Sequence, residues 1–177
     1  MRSRTSADKL GGVASSYDVA IVTGGSCGVG RELAARLASR GYAVVVVYLH
    51  HQAEAEATVE AIVGADGAAL AVRADVADAL DVERLFEETT AAFGHVDVVV
   101  HTAVRGAAVV NRQAARRLRQ GGAILTVSGA DAIPPALADE LSARGITVNG
   151  YAPGIEPPGT VHAVEELVAL LDRWRRP

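Results

Sequence analysis

The chain has 177 residues, half of them hydrophobic, enough for one domain with a substantial core and short for two. A formal net charge of −4 gives no general electrostatic reason to expect nucleic acid or an anionic membrane as partner. The only cysteine is Cys27, which excludes an intrachain disulfide; no Cys/His cluster has metal-ligand spacing, and the composition suits a reducing cytoplasm.

Residues 1–17 carry Arg2, Arg4 and Lys9 among small and polar residues, lack the apolar core of a signal peptide, and read as a flexible tail. Residues 18–177 read as a single domain, and no later apolar run reaches membrane-spanning length. Val19–Thr23 is the first predicted strand. It enters a glycine-rich turn, and Val29, Leu33 and Leu37 then mark one face of a helix that stops at Gly41. Ala43–Tyr48 is a nearly continuous valine run, the pattern of a strand covered on both faces. A second helix places Ala55, Val59, Ile62 and Val63 on one face and ends at Gly64, and a third strand follows at Ala68–Arg73. Val82, Leu85, Phe86, Thr89 and Phe93 form the stripe of a third helix closed by Gly94, ahead of a fourth strand at Val96–His101.

From there the predicted elements shorten. Val110, Ala114 and Leu118 stripe a helix before Gly121-Gly122, and Ala123–Ser128 is the fifth strand. Pro134 and Pro135 open a short helix through Leu137 and Leu141 that stops at Gly145. Ile146–Ala152 is the sixth strand, and Val164, Leu167, Val168 and Leu171 line a last helix with Trp174 near its end. Strands alternating with helices, each helix closing at or near a glycine, predict consecutive βαβ units. Right-handed crossovers then favour a doubly wound parallel α/β sheet of Rossmann type, order 3-2-1-4-5-6, with a shortened C-terminal half.

The turn after the first strand has the geometry of a phosphate site. Gly24 is free to take the positive φ of the turn, Gly28 lets the main chain approach a pyrophosphate, and Gly30 lets the helix pack close to the strand. Ser26, Cys27 and Val29 complete the loop, and the helix N-terminus behind it offers free N–H groups and a partial positive charge.

Several of these segments together resemble the short-chain dehydrogenase/reductase family. Thr23-Gly24-x-x-x-Gly28-x-Gly30 matches that family's cofactor loop, and Asp75-Val76 resembles the pair its members set against the adenine ring. Ala103 falls in the segment that ends the family's fourth strand. Gly145-Ile146-Thr147-Val148-Asn149 with Ala152-Pro153-Gly154 is similar to its sixth-strand segment, whose Pro-Gly lies beside the nicotinamide. Ser128 stands where the resemblance implies a serine holding the substrate carbonyl. The resemblance runs from about Val19 to Leu171 and implies a nicotinamide dinucleotide cofactor and a small carbonyl or hydroxyl substrate.

The departures are as informative. The family's Tyr-x-x-x-Lys has no counterpart: the tyrosines are Tyr17, Tyr42, Tyr48 and Tyr151, and the only lysine is Lys9. The stretch from Ser128 to Leu137 reads as though half of a helix had been excised, and the segments after the fourth strand and after Pro153-Gly154 are short. The family's final strand has no counterpart. The fourth strand ends in His101-Thr102-Ala103-Val104 where relatives have Asn-Asn-Ala-Gly, and Asn111 sits too near Gly121 to be equated with the family's catalytic asparagine. A free tyrosine has a pKa near ~10 and donates a proton at neutral pH only when a cation lowers it, so loss of the lysine removes the usual proton donor.

His101 and Ser128 are the candidate catalytic substitutes, against the simpler roles of space-filling and strand-end capping. At the end of the second strand, Tyr48-Leu49-His50-His51 replaces the acidic residue of NAD-selective folds, and His50 and His51 are the candidates to meet a 2′-phosphate, which favours NADP(H) over NAD(H). Arg112, Arg116 and Arg119 share a helix face, either solvated or a partner surface. Two functions follow, beside the alternative of a folded remnant with no selected activity. One is a cofactor-binding regulatory or partner subunit, as a homo-oligomer or with a full-length homologue. The other is an NADPH-dependent oxidoreductase, or a lyase or isomerase, with a site rebuilt on His101 and Ser128.

Overall fold

The computed structural model describes residues 17–127, 134–150 and 161–175. Ser128, Asp131, Tyr151, Pro153 and Gly154 lie outside the described residues, as does nearly all of the expected tail. The elements run β1 (Val19–Thr23), α1 (Gly28–Ser39), β2 (Ala43–Tyr48), α2 (Gln52–Gly64), β3 (Ala68–Arg73), α3 (Ala79–Phe93), β4 (Val98–His101), α4 (Ala107–Arg117), β5 (Ala123–Thr126), α5 (Pro135–Ala143), β6 (Thr147–Gly150) and α6 (Val161–Arg175). The strands pair in parallel in the order β3-β2-β1-β4-β5-β6, the doubly wound arrangement expected from the alternating pattern.

Helices cover both faces, and period-2 alternation divides the strands between two cores. Val19 and Ile21 of β1 pack with Leu85 and Phe86 of α3, Val110 and Ala114 of α4, and Leu141 of α5. Ala20 and Val22 pack on the opposite face with Leu33 and Leu37 of α1, Ile62 of α2, and Leu167 and Leu171 of α6. α1 begins with Gly28 and Gly30, which together cost about 2 kcal/mol in helix propensity. Burial of Leu33 and Leu37 contributes about 3–6 kcal/mol and outweighs that cost, so the helix forms with a glycine-rich first turn.

Two local expectations are corrected. The buried face of α2 is Ala55, Thr58 and Ile62, whereas Val63 is exposed. Thr58 tolerates burial because its hydroxyl donates to the Glu54 carbonyl at 2.8 Å, and the apolar stripe rotates toward it. α2 ends at Gly64 as expected, and the left-handed residue behind it is Asp66 (φ 61). β4 begins at Val98 rather than Val96, because the Asp97 carboxylate occupies the Val19 amide at 2.7 Å.

Among the described residues no helix is long and apolar enough to cross a membrane.

Candidate functional site

The loop between β1 and α1 is fastened to both neighbouring strands. On the β2 side the Gly25 amide donates to the Val47 carbonyl at 3.2 Å. On the β4 side the Thr102 hydroxyl donates to the Thr23 carbonyl at 2.6 Å, and the Thr102 amide reaches the same oxygen at 3.3 Å. Gly24 takes φ +68, and a Cβ on it would lie 2.8 Å from Thr102 Oγ1. At Gly30 a Cβ would lie 2.2 Å from the Gly24 carbonyl oxygen and 2.7 Å from Thr102 Oγ1, so α1 packs against the loop at a distance only glycine permits. Gly28 has φ +53 with nothing within 4 Å of its Cβ position, leaving the outer side of the loop open.

The electrostatics of this turn suit an anion. Cys27, the exposed residue before α1, makes no side-chain cap, and the first turn carries no acidic residue. The first turn of α1 therefore has amides without a side-chain cap and a partial positive charge uncompensated by an acidic side chain. Ser26 is buried within the loop, and Val29 packs partly against the α1-side core.

Around the loop lies a crevice of about 370 Å³ at the carboxyl ends of β1 to β4, within the roughly 300–1,000 Å³ of small-molecule sites. It brings together Gly24, Ser26, Cys27, His50, Asp75, Val76 and Ala103 of the predicted cofactor set. Tyr48, Leu49 and His51 form its β2 end, and Val104 and Arg105 form the wall after β4. The crevice is mainly apolar, as a site for a nucleoside requires, with charge confined to a few positions.

The Asp75 segment is held by hydrogen bonds at Asp75 itself, between the buried Ala74 and Val76, which packs partly against the core. Its amide donates to the Asp81 carboxylate at 2.8 Å, its Oδ1 accepts from the Ala77 amide at 2.9 Å, and its carbonyl accepts from the Asp78 amide at 3.0 Å. The Asp75 amide, followed by the Arg84 guanidinium at 3.1 Å, holds the Asp81 carboxyl below the usual carboxylate range. Gly106, with φ +88, closes the opposite side: a Cβ there would lie 2.3 Å from the Val76 carbonyl oxygen, so the β4–α4 and β3–α3 loops touch backbone to backbone.

Thr23, His101 and Thr126 stand in register at the ends of β1, β4 and β5. His101 is 0% exposed, and its Nδ1 meets the Thr23 hydroxyl at 2.8 Å. Asn111 is buried in the middle of α4, and its Oδ1 has no hydrogen-bond partner among the described residues. Arg112 and Arg116 are exposed on α4, whereas Arg119 leaves their company to pair with Asp97 at 2.6 Å, at the opposite end of the sheet from the crevice. The sequence reading missed Thr102, Arg105 and Gly106. A glycine directly before a predicted helix, preceded by a charged residue at a strand's carboxyl end, was the available signal for the last two.

A family model described as short chain dehydrogenase matches residues 18–121. An uncharacterised oxidoreductase of Methylorubrum extorquens is 34% identical over 178 aligned positions, covering 77% of this chain and 72% of that protein. A 3-oxoacyl-[acyl-carrier-protein] reductase of Staphylococcus aureus is 31% identical, covering 76% of this chain and 73% of its own. Among solved structures, a short chain dehydrogenase of Burkholderia cenocepacia in complex with NADP superposes with a TM-score of 0.73 at 26% identity, covering 90% of this chain and 91% of that one. A short-chain dehydrogenase/reductase of Serratia marcescens gives 0.76 at the same identity and coverage.

Proposed function

The chain belongs to the short-chain dehydrogenase/reductase family, and from that premise we propose that it binds NADP(H) in the crevice over the glycine loop without reducing carbonyls as its relatives do. The observation that carries this reading is the pairing of a complete glycine cradle with a sequence whose only lysine is Lys9. The residues present fit the nucleotide. Gly24 and Gly30 let α1 pack tightly against the loop, Gly28 leaves the loop's outer side open, the first turn of α1 carries no side-chain cap, and the relative from Burkholderia cenocepacia was solved with NADP.

In this reading the pyrophosphate rests on the α1 amides, Asp75 and Val76 hold the adenine, and Ala103 borders the nucleotide on the β4 side. Pro153 and Gly154 are assigned to the nicotinamide. The cofactor supplies a hydride when bound. Carbonyl reduction also needs a proton on oxygen, and acid–base assistance is worth on the order of 10²–10⁴ in rate. No Tyr-x-x-x-Lys occurs in the sequence to provide it. His101 then serves as a tie between β1 and β4 through the Thr23 hydroxyl.

The role we assign is that of a cytoplasmic nucleotide-binding regulatory or partner subunit, in a homo-oligomer or with a full-length relative. Calorimetric titration with NADPH and NADH tests it: saturable binding favouring NADPH is expected, and absence of heat with either at millimolar concentration overturns it. A second reading, an oxidoreductase, lyase or isomerase rebuilt on His101 and Ser128, is favoured by the register that sets His101 beside Thr126, two positions before Ser128. Turnover that survives conversion of both residues to alanine removes that reading.

A further inference from the structure

The crevice has an uneven charge distribution. Among the described lining residues Asp75 is the one acid, and its carboxylate already accepts the Ala77 amide. The wall after β2 presents Leu49, His50 and His51 and no carboxylate. Arg105 is the one arginine or lysine among the described lining residues, is exposed, and has no ion-pair or hydrogen-bond partner among them. Nearby arginines are committed elsewhere: Arg73 donates to the Leu49 carbonyl at 3.2 Å, and Arg84 pairs with Asp81 and Glu88.

The seat of Arg105 is set by its neighbour. The contact of Gly106 with the Val76 carbonyl braces the β4–α4 loop against the Asp75–Val76 segment. Arg105, next in the chain, lines the crevice together with Asp75 and Val76, the pair that the nucleotide reading sets against the adenine. Val104, 89% exposed beside it, offers an apolar surface next to the cation. A free guanidinium next to apolar surface, across from a wall without carboxylates, is complementary to a nucleoside carrying an extra phosphate.

Resting on the nucleotide-binding reading above, we propose that Arg105 selects a nucleotide that carries a phosphate on its adenosine ribose. In the glycine loop the position after Ser26 is the uncharged Cys27, so the full positive charge reaches the nucleotide from the β4 side instead.

The test compares the dissociation constants of NADPH, NADH, 2′,5′-ADP and 5′-ADP for the full chain and for Arg105→Gln and Arg105→Lys. Loss of a charge-assisted hydrogen bond raises the NADPH and 2′,5′-ADP constants of Arg105→Gln by roughly tenfold or more. The NADH and 5′-ADP constants shift by less than about twofold, Arg105→Lys lies between, and added salt narrows the gap. Unchanged NADPH affinity in Arg105→Gln overturns the inference, and so does an equal loss for NADPH and NADH, which would put Arg105 on the pyrophosphate or in the loop's scaffolding. Tighter binding of NADH than NADPH by the unaltered chain also overturns it while leaving nucleotide binding intact. Failure to bind any of the four removes both readings.

Discussion

Replacing Gly30 with alanine tests the cradle directly, because the added methyl carbon would sit 2.2 Å from the Gly24 carbonyl oxygen and 2.7 Å from Thr102 Oγ1. Ordinary carbon–oxygen contact requires roughly 1 Å more, so α1 and the loop must part by about that distance. Overpacking of this kind costs about 1–3 kcal/mol, while alanine in a helix returns about 1 kcal/mol, so net destabilisation is ~0–2 kcal/mol and the domain stays folded. Nucleotide binding suffers more. Amide–phosphate hydrogen bonds do not survive a displacement of about 1 Å, and losing two at about 1.5 kcal/mol or more each raises the dissociation constant at least ~100-fold. Urea denaturation and NADPH calorimetry on the same preparation separate the two effects. An affinity within about threefold of the unaltered chain would refute the argument that the loop's close packing shapes the phosphate site.

Other perturbations probe the supports of the site. Thr102→Val removes the hydroxyl donated to the Thr23 carbonyl and should cost about 1–3 kcal/mol in urea denaturation, while Thr102→Ser, which keeps the donor, costs less; equal losses would contradict that role. Asp97 is 1% exposed, takes the Val19 amide and pairs with Arg119 and His95, so Asp97→Ala should destabilise by about 3 kcal/mol, the lower end for a broken buried pair because Arg119 is 52% exposed. A loss below about 1 kcal/mol would show the cluster to be dispensable. The folded-state pKa of Asp81 is depressed, so its contribution is fully present above the ordinary carboxylate value of 3.8 and is lost as pH falls through the lower folded value. The stability difference between the unaltered chain and Asp81→Asn should accordingly stay constant near neutrality and shrink only in acid below that value; a difference that grows on acidification would reverse the assigned sign.

The fold was legible where hydrophobic period and strand length agreed, as in Ala43–Tyr48, whose valine run needs cover on both faces, and in α3, whose stripe from Val82 to Phe93 is buried as spaced. The errors fell where a side chain took over a backbone duty. Asp97 captured an amide that the sheet ladder was expected to bond, and Thr58 satisfied its own hydroxyl and so entered the core in place of Val63. Within the site, the glycine loop was readable because its chemistry lies in consecutive residues. Thr102 was not, since its partner Thr23 is 79 positions away and meets it only because the sheet order sets β4 beside β1. Arg105 and Gly106 were hidden for the same reason, since Gly106 takes its meaning from its approach to Val76 and Arg105 from the crevice that the two loops line.

The most direct test of the account is a single-turnover experiment in which the chain is saturated with NADPH, binding is verified by the fluorescence of the bound nicotinamide, and the complex is mixed with a panel of small ketones and aldehydes. The account predicts that the bound reduced nucleotide persists, decaying no faster than in buffer. Rapid loss of that fluorescence with formation of the corresponding alcohol would contradict it.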